Sequence, residues 1–190
     1  MKDVTVCILA GGKSSRFGKD KLSQNLYGKL LIEHVVEATK GFSEILIVGK
    51  FPDKFRHIKS IKFVLEPFTD FSPIYGIITG LRAAKNEKIL FLPGDTPFLK
   101  AEVLKTFSRE FPPAVISEGD NLHSLFFLIS KFQICIVEKF LKSRKHKVFD
   151  LHYLMKSKRV DVRKFLHLDY QKKSLINLNT RKELYEVISR

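Results

Sequence analysis

The chain has 190 residues, 44% of them hydrophobic and 28% charged, which excludes wholesale disorder and fits one compact domain over residues 1–190. Thirty-four Lys and Arg against 20 Asp and Glu give a formal charge of +14, so the expected partner is an anion: a nucleotide, a phosphorylated metabolite or a nucleic acid. The most apolar stretch, Leu125 to Val137, is interrupted by Ser130, Lys131 and Gln133 and falls short of the ~20 apolar residues of a membrane span.

Val4 to Ala10 is a continuous aliphatic run ending in Gly11-Gly12, the pattern of a strand buried on both faces. No small-x-small cleavage site follows it, so no secretory signal is expected. Cys7 and Cys135 each lie in an apolar run and are expected to be buried free thiols, which suits a reducing cytoplasm. Leu30 to Lys40 carries helical spacing and is stopped by Gly41. Ile45 to Val48 and Ile61 to Leu65 read as short buried strands, Ile74 to Ala84 as a helix opened by Pro73, and Ile89 to Leu92 as a strand stopped by Pro93-Gly94.

Further along, Lys100 to Glu110 reads as helix, Ala114 to Ser117 and Ser124 to Ile129 as strands around a turn, and Phe132 to Lys142 and Val148 to Met155 as helices. Extended pieces are expected at Arg159 to Val162 and Leu175 to Leu178, with Thr180 capping a last helix. Strand and helix alternate over the first hundred residues, so the fold class is α/β: a mostly parallel central sheet with helices on both faces. Such sheets bind ligands beyond the carboxyl ends of their strands, which directs attention to residues 11–21 and 95.

The densest signal is the run from Leu9 to Lys21, with Ala10, Gly11, Gly12, Lys13, Arg16 and Lys19 between. Glycines let a backbone approach a ligand closely, and the cations suit phosphate. The spacing matches neither a Walker A loop nor a dinucleotide fingerprint. The second signal is Pro93-Gly94-Asp95-Thr96-Pro97-Phe98, where an Asp at a strand end could hold Mg²⁺ or form an ordinary turn. Asn177 and Asn179 would share one face of a strand. Between Lys139 and Lys182 stand fourteen Lys and Arg against Asp150, Asp161 and Asp169, a surplus expected to serve an anionic acceptor through residues such as Arg144 and Lys147.

These motifs, with Ser72-Pro73-Ile74-Tyr75-Gly76 and Asn177-Leu178-Asn179-Thr180, fall in the order and spacing of the molybdenum cofactor guanylyltransferases, which the chain resembles over nearly its whole length. The resemblance implies a single Rossmann-like nucleotidyltransferase domain and a Mg²⁺-dependent transfer of GMP from GTP to the terminal phosphate of molybdopterin, releasing pyrophosphate. It implies that Leu9, Ala10, Gly11 and Gly12 hug the nucleotide, Lys21 holds its phosphates and Asp95 binds the metal. A cytoplasmic enzyme without membrane or nucleic-acid partner follows, making transient contact with molybdoenzymes or their chaperones.

The chain departs from the family pattern at Val48-Gly49, at Glu66-Pro67 where Glu-Asp is usual, at Tyr75, and at Ser124 after His123. Asp70 is expected to supply the missing carboxylate. The competing readings are a cytidylyltransferase on the same cofactor, a sugar-phosphate nucleotidyltransferase, and a basic nucleic-acid-binding module, the last disfavoured by the absence of any recognised motif.

Overall fold

The computed structural model describes residues 3–12, 21–59, 61–143 and 145–188. Expectations placed on Lys13, Arg16, Lys19 and Arg144 lie outside the described residues. The elements in chain order are β1 (Val4–Leu9), a hairpin of β2 (Asn25–Leu26) and β3 (Lys29–Leu30), α1 (Leu31–Ala38), β4 (Glu44–Gly49), β5 (Lys62–Leu65), α2 (Pro73–Ala83) and β6 (Lys88–Pro93). There follow α3 (Ala101–Phe107), β7 (Ala114–Glu118), β8 (Asn121–Ser130), α4 (Ile134–Lys142), α5 (Val148–Leu154), β9 (Lys158–Asp161) and α6 (Arg181–Ile188).

Seven strands form one sheet in the order β5-β4-β1-β6-β8-β7-β9. Strands β5, β4, β1 and β6 run parallel, and β9 runs parallel to β7. β8 alone opposes its neighbours β6 and β7. The unbroken apolar runs of β1 and β6 bury both strand faces, as a sheet covered on two sides requires. One face packs Val6, Ile8 and Leu90 against α1 and α3 through Ile32, Val35, Val103, Leu104 and Phe107. The other packs Val48, Phe91 and Phe127 against α2, α4 and α5 through Ile74, Ile77, Val137, Phe140 and Leu151. Each such aliphatic or aromatic side chain contributes roughly 1.5–3 kcal/mol by leaving water.

Three local expectations are corrected, and one element is unexpected. β5 is an edge strand with Leu65 59% exposed, because only β4 flanks it. Cys135 is exposed: α4 turns Val137 and Phe140 inward, and a residue two positions before Val137 points away from that face. Leu175 to Leu178 is no strand; Leu175 ends a 3₁₀ turn, and the Leu178 amide bonds to the Asp95 carbonyl instead of a neighbouring strand. Finally, β2 and β3 escape sequence reading, since two-residue strands show no period; Tyr27 and Gly28, both at positive φ, make the turn between them.

Among the described residues, no helix is long and apolar enough to cross a membrane.

Candidate functional site

From β1 the chain moves outward through β4 to β5, then returns to β6 on the other side of β1. The crossovers by α1 and α2 lie on opposite faces. A crevice therefore opens at the carboxyl ends of β1 and β6, the place where such sheets take ligands. Hydrogen bonds continue the ladder one step past the strands and tie the loop starts together. The amide of Ala10 donates to Val48 O at 2.7 Å, Glu66 to Gly49 O at 2.8 Å, and Gly94 to Leu9 O at 3.1 Å. Leu9, Ala10, Gly11, Gly12, Glu66 and Asp95 are thereby gathered around one opening.

At its floor Lys21 Nζ donates to Asp95 Oδ2 at 2.5 Å and to Asn179 Oδ1 at 2.9 Å. Lys21 is only 9% exposed, and these two oxygens face its buried ammonium. Asp95 Oδ1 is buried and has no hydrogen-bond partner among the described residues. A buried carboxylate oxygen left open is costly unless a ligand completes it. The Leu178 amide holds the Asp95 carbonyl at 3.0 Å, while Glu183 accepts from the amides of Asn179 and Thr180, so the start of α6 fixes Asn179 over the site. Thr180 Oγ1 in turn accepts from the Glu183 amide, as its capping role predicts.

The second cluster was not singled out by sequence. Glu66 is 5% exposed, and burial pushes its carboxyl above the usual range against the opposing pull of Lys50, 3.6 Å away. Two glycines make room for it: a Cβ on Gly11 would lie 2.7 Å from Glu66 Oε2, and one on Gly76 would lie 3.5 Å from it and 2.9 Å from Leu9. Lys50 Nζ also donates to the carbonyls of Phe68 (2.5 Å), Thr69 (2.9 Å) and Asp70, and lies 4.3 Å from the Phe71 ring centroid. The expected carboxylate of Asp70 is exposed at the rim, and it is the Asp70 backbone that is held. An isolated acid and an isolated lysine after two strands give no sequence signal; only the convergence of β4 and β5 makes them neighbours.

Strand β8, antiparallel to β6 with Phe91 opposite Phe127, carries its first residues beyond the carboxyl end of β6. A cavity of about 230 Å³ lies there, lined by Pro93, Thr96, His123, Ser124, Leu175 and Asn177 among others. Asn177 thus lines this cavity, whereas Asn179 bonds to Lys21. Burial holds His123 below the usual histidine range, with Glu118 opposing, so it is neutral at physiological pH.

Among the described residues no three His, Cys, Asp or Glu side chains cluster as a ready-made metal cage. One carboxylate with a free oxygen nevertheless suits Mg²⁺, which commonly keeps waters and takes its remaining ligands from substrate phosphates.

Comparison with known proteins identifies the family and the fold. Residues 6–152 match the family model of the MobA-like NTP transferase domain. A protein of Aquifex aeolicus (strain VF5) named probable molybdenum cofactor guanylyltransferase is 32% identical over 192 residues, covering 100% of this chain and 92% of the relative. The molybdenum cofactor guanylyltransferase of Syntrophotalea carbinolica is 27% identical over 96% of this chain and 90% of its own. A crystal structure from Aquifex aeolicus VF5 superposes with a TM-score of 0.78 at 34% identity, covering 93% of both chains. The molybdopterin-guanine dinucleotide biosynthesis protein A of Archaeoglobus fulgidus shares the fold at a TM-score of 0.85, with 22% identity and 97% of both chains covered. By the family model over residues 6–152 and the relative that matches this chain along its whole length, the chain belongs to the MobA-like NTP transferases, among the molybdenum cofactor guanylyltransferases.

Proposed function

We propose that the crevice transfers GMP from GTP to the terminal phosphate of molybdopterin, with Mg²⁺, and releases pyrophosphate. The observation that carries this reading is the hydrogen-bonded group of buried Lys21, half-buried Asp95 and exposed Asn179 at the switch point, with one buried Asp95 oxygen left for a ligand. An acceptor phosphate oxygen attacks the α-phosphorus of GTP, a new P–O bond forms, and the bond to the β-phosphate oxygen breaks, its electrons leaving with pyrophosphate. The attacking oxygen is already anionic, so neither a base nor a covalent enzyme intermediate is needed. Rate comes from alignment and charge neutralisation.

In this scheme the backbone of Leu9 to Gly12 lies against the nucleotide and Lys21 meets its phosphates. Asp95 would hold Mg²⁺, which when bound offsets triphosphate charge. The buried Glu66 and the Lys50-bound loop shape the wall beyond β4 and β5. With GTP as donor the reaction is assigned to the cytoplasm, and the dinucleotide product passes by transient contact to molybdoenzymes or their chaperones.

The test is pyrophosphate release from each of the four nucleoside triphosphates with molybdopterin and Mg²⁺. Release with GTP alone is expected. Release with CTP as fast as with GTP replaces the guanylyl assignment by the cytidylyl one, and release with no nucleotide overturns both.

A further inference from the structure

A second cavity, about 330 Å³, lies beside the one lined by Pro93 and Thr96, the residues that flank Gly94-Asp95, and is bordered by Phe149, His152, Tyr153, Lys156, Arg159 and, again, Leu122. Leu122 lines both cavities. The wall between them is built by one hydrogen bond: His152 Nε2 donates to the carbonyl of Ser124 at 2.8 Å, His152 facing one cavity and Ser124 the other. His152 is 2% exposed, and its Nδ1 accepts from Ser157 Oγ at 3.1 Å, so the imidazole is a fixed neutral strut. It also packs edge-on against Phe127, 4.9 Å between ring centroids, which anchors the wall in the core.

The two cavities differ in chemistry. The one beside Pro93 and Thr96 is lined by the Thr96 and Ser124 hydroxyls, which donate to the carbonyls of Pro93 and Leu122, and by the His123 imidazole and the Asn177 amide, whose N–H groups suit a phosphate group. The outer one offers Phe149 and Tyr153, 47% and 85% exposed on successive turns of α5, with the cations Lys156 and Arg159 on the same lining, Arg159 4.0 Å from Asp120. Exposed rings on one helix face beside two cations fit a flat heteroaromatic body rich in carbonyl or anionic groups.

We propose that the two cavities are a single acceptor cleft: the acceptor phosphate lies beside Asp95, the chain crosses the saddle at Leu122, and the pterin ring system rests against Phe149 and Tyr153 under Lys156 and Arg159. The inference rests on the molybdopterin reading above, and it accounts for part of the basic surplus between Lys139 and Lys182. It separates the substrates by strand, with the donor over β1 and β4 and the acceptor over β8 and α5, so that they meet at Asp95.

Two variants test it, each checked for an unchanged melting temperature. Lys156→Gln with Arg159→Gln should raise the molybdopterin KM by about tenfold, the worth of a charged hydrogen bond, while the GTP KM stays fixed. Leu122→Trp, which fills the saddle without touching charge, should do the same. Binding of a phosphorylated pterin without GTP, followed by the quenching of its fluorescence, should weaken in parallel in both variants. An unchanged acceptor KM and unchanged pterin binding in either correctly folded variant overturns the cleft. Failure of the wild-type protein to release pyrophosphate with molybdopterin overturns the reaction instead, and pterin binding that still responds to both variants then supports the cleft as a binding site on its own.

Discussion

Asp95 and Lys21 answer each other's charge across 74 residues of sequence, and their substitution should separate chemistry from fold. Asp95 is partly accessible, at a strand end outside both packed faces. Asp95→Ala should therefore cost at least ~10²-fold in the transfer rate, the usual effect of removing a charge-stabilising group, with far-UV circular dichroism unchanged. Retained Mg²⁺-dependent turnover would remove Asp95 from the chemistry. Lys21→Ala should raise the GTP KM and lower kcat together. Glu66 makes a different prediction. Burial raises its carboxyl, so between the ordinary value of 4.5 and its folded value the native chain holds a proton that the unfolded chain has lost. Its ionisation on folding thus costs stability, a cost absent below the ordinary range and complete above the folded value. Glu66→Gln should raise the melting temperature more at pH 7 than at pH 4.5, and an equal shift at both would show that burial of the charge is not what Glu66 contributes.

At the scale of elements, the Lys50 ammonium is the brace between the end of β4 and the segment from Phe68 to Asp70. Three backbone carbonyls converge on it. Lys50→Met keeps the length of the side chain and removes the donors, so the segment should loosen and the GTP KM rise several-fold with the acceptor KM unchanged; a rise confined to the acceptor would place the donor elsewhere. The large elements were legible because their signals are local. The apolar runs of β1, β4 and β6 end in Gly or Pro, and Ser72-Pro73 opens α2 with the Ser72 hydroxyl accepting from the Ile74 amide. Gly11-Gly12 and Asp95 stand out as candidates in the sequence for the same reason, each standing just after a strand. Lys50 and Glu66 do not, because their meaning depends on which strands become neighbours. The β2–β3 hairpin is too short for a period, and Cys135 was misjudged because an apolar run does not say which side of a helix faces the core.

Across the whole molecule the charge of +14 is less one-sided than the sequence suggests. Acids from the middle of the chain reach into the basic C-terminal portion. Glu110, only 7% exposed, accepts from Lys158 at 2.8 Å and from Lys164, and Glu118 accepts from Lys172. These partners hold Glu110 below the ordinary carboxylate range, with hydrogen bonds from Lys158 first and from Lys164 next. The stability it supplies is complete above the ordinary range and is lost as pH falls through its depressed value. Glu110→Gln should cost about 1 kcal/mol at pH 7, because both lysines are half in water, and should narrow the difference from wild type in acid melts. A cost independent of pH would assign the loss to packing. The paired cations also weaken the nucleic-acid reading, whose mark would be a steep fall in affinity with added salt.

The group proposed to carry out the transfer joins distant parts of the sequence, for Lys21 and Asp95 are completed by Leu178 and Asn179 just before α6. During synthesis the sheet strands from β1 to β9 emerge first and can begin to pack, since domains assemble from the amino end as they leave the ribosome. On the proposed reading, nucleotide competence comes only when Leu178 and Asn179 have been made and have bonded to Asp95 and Lys21. A ribosome that stops before Leu178 therefore leaves a chain with most of its core and an incomplete site.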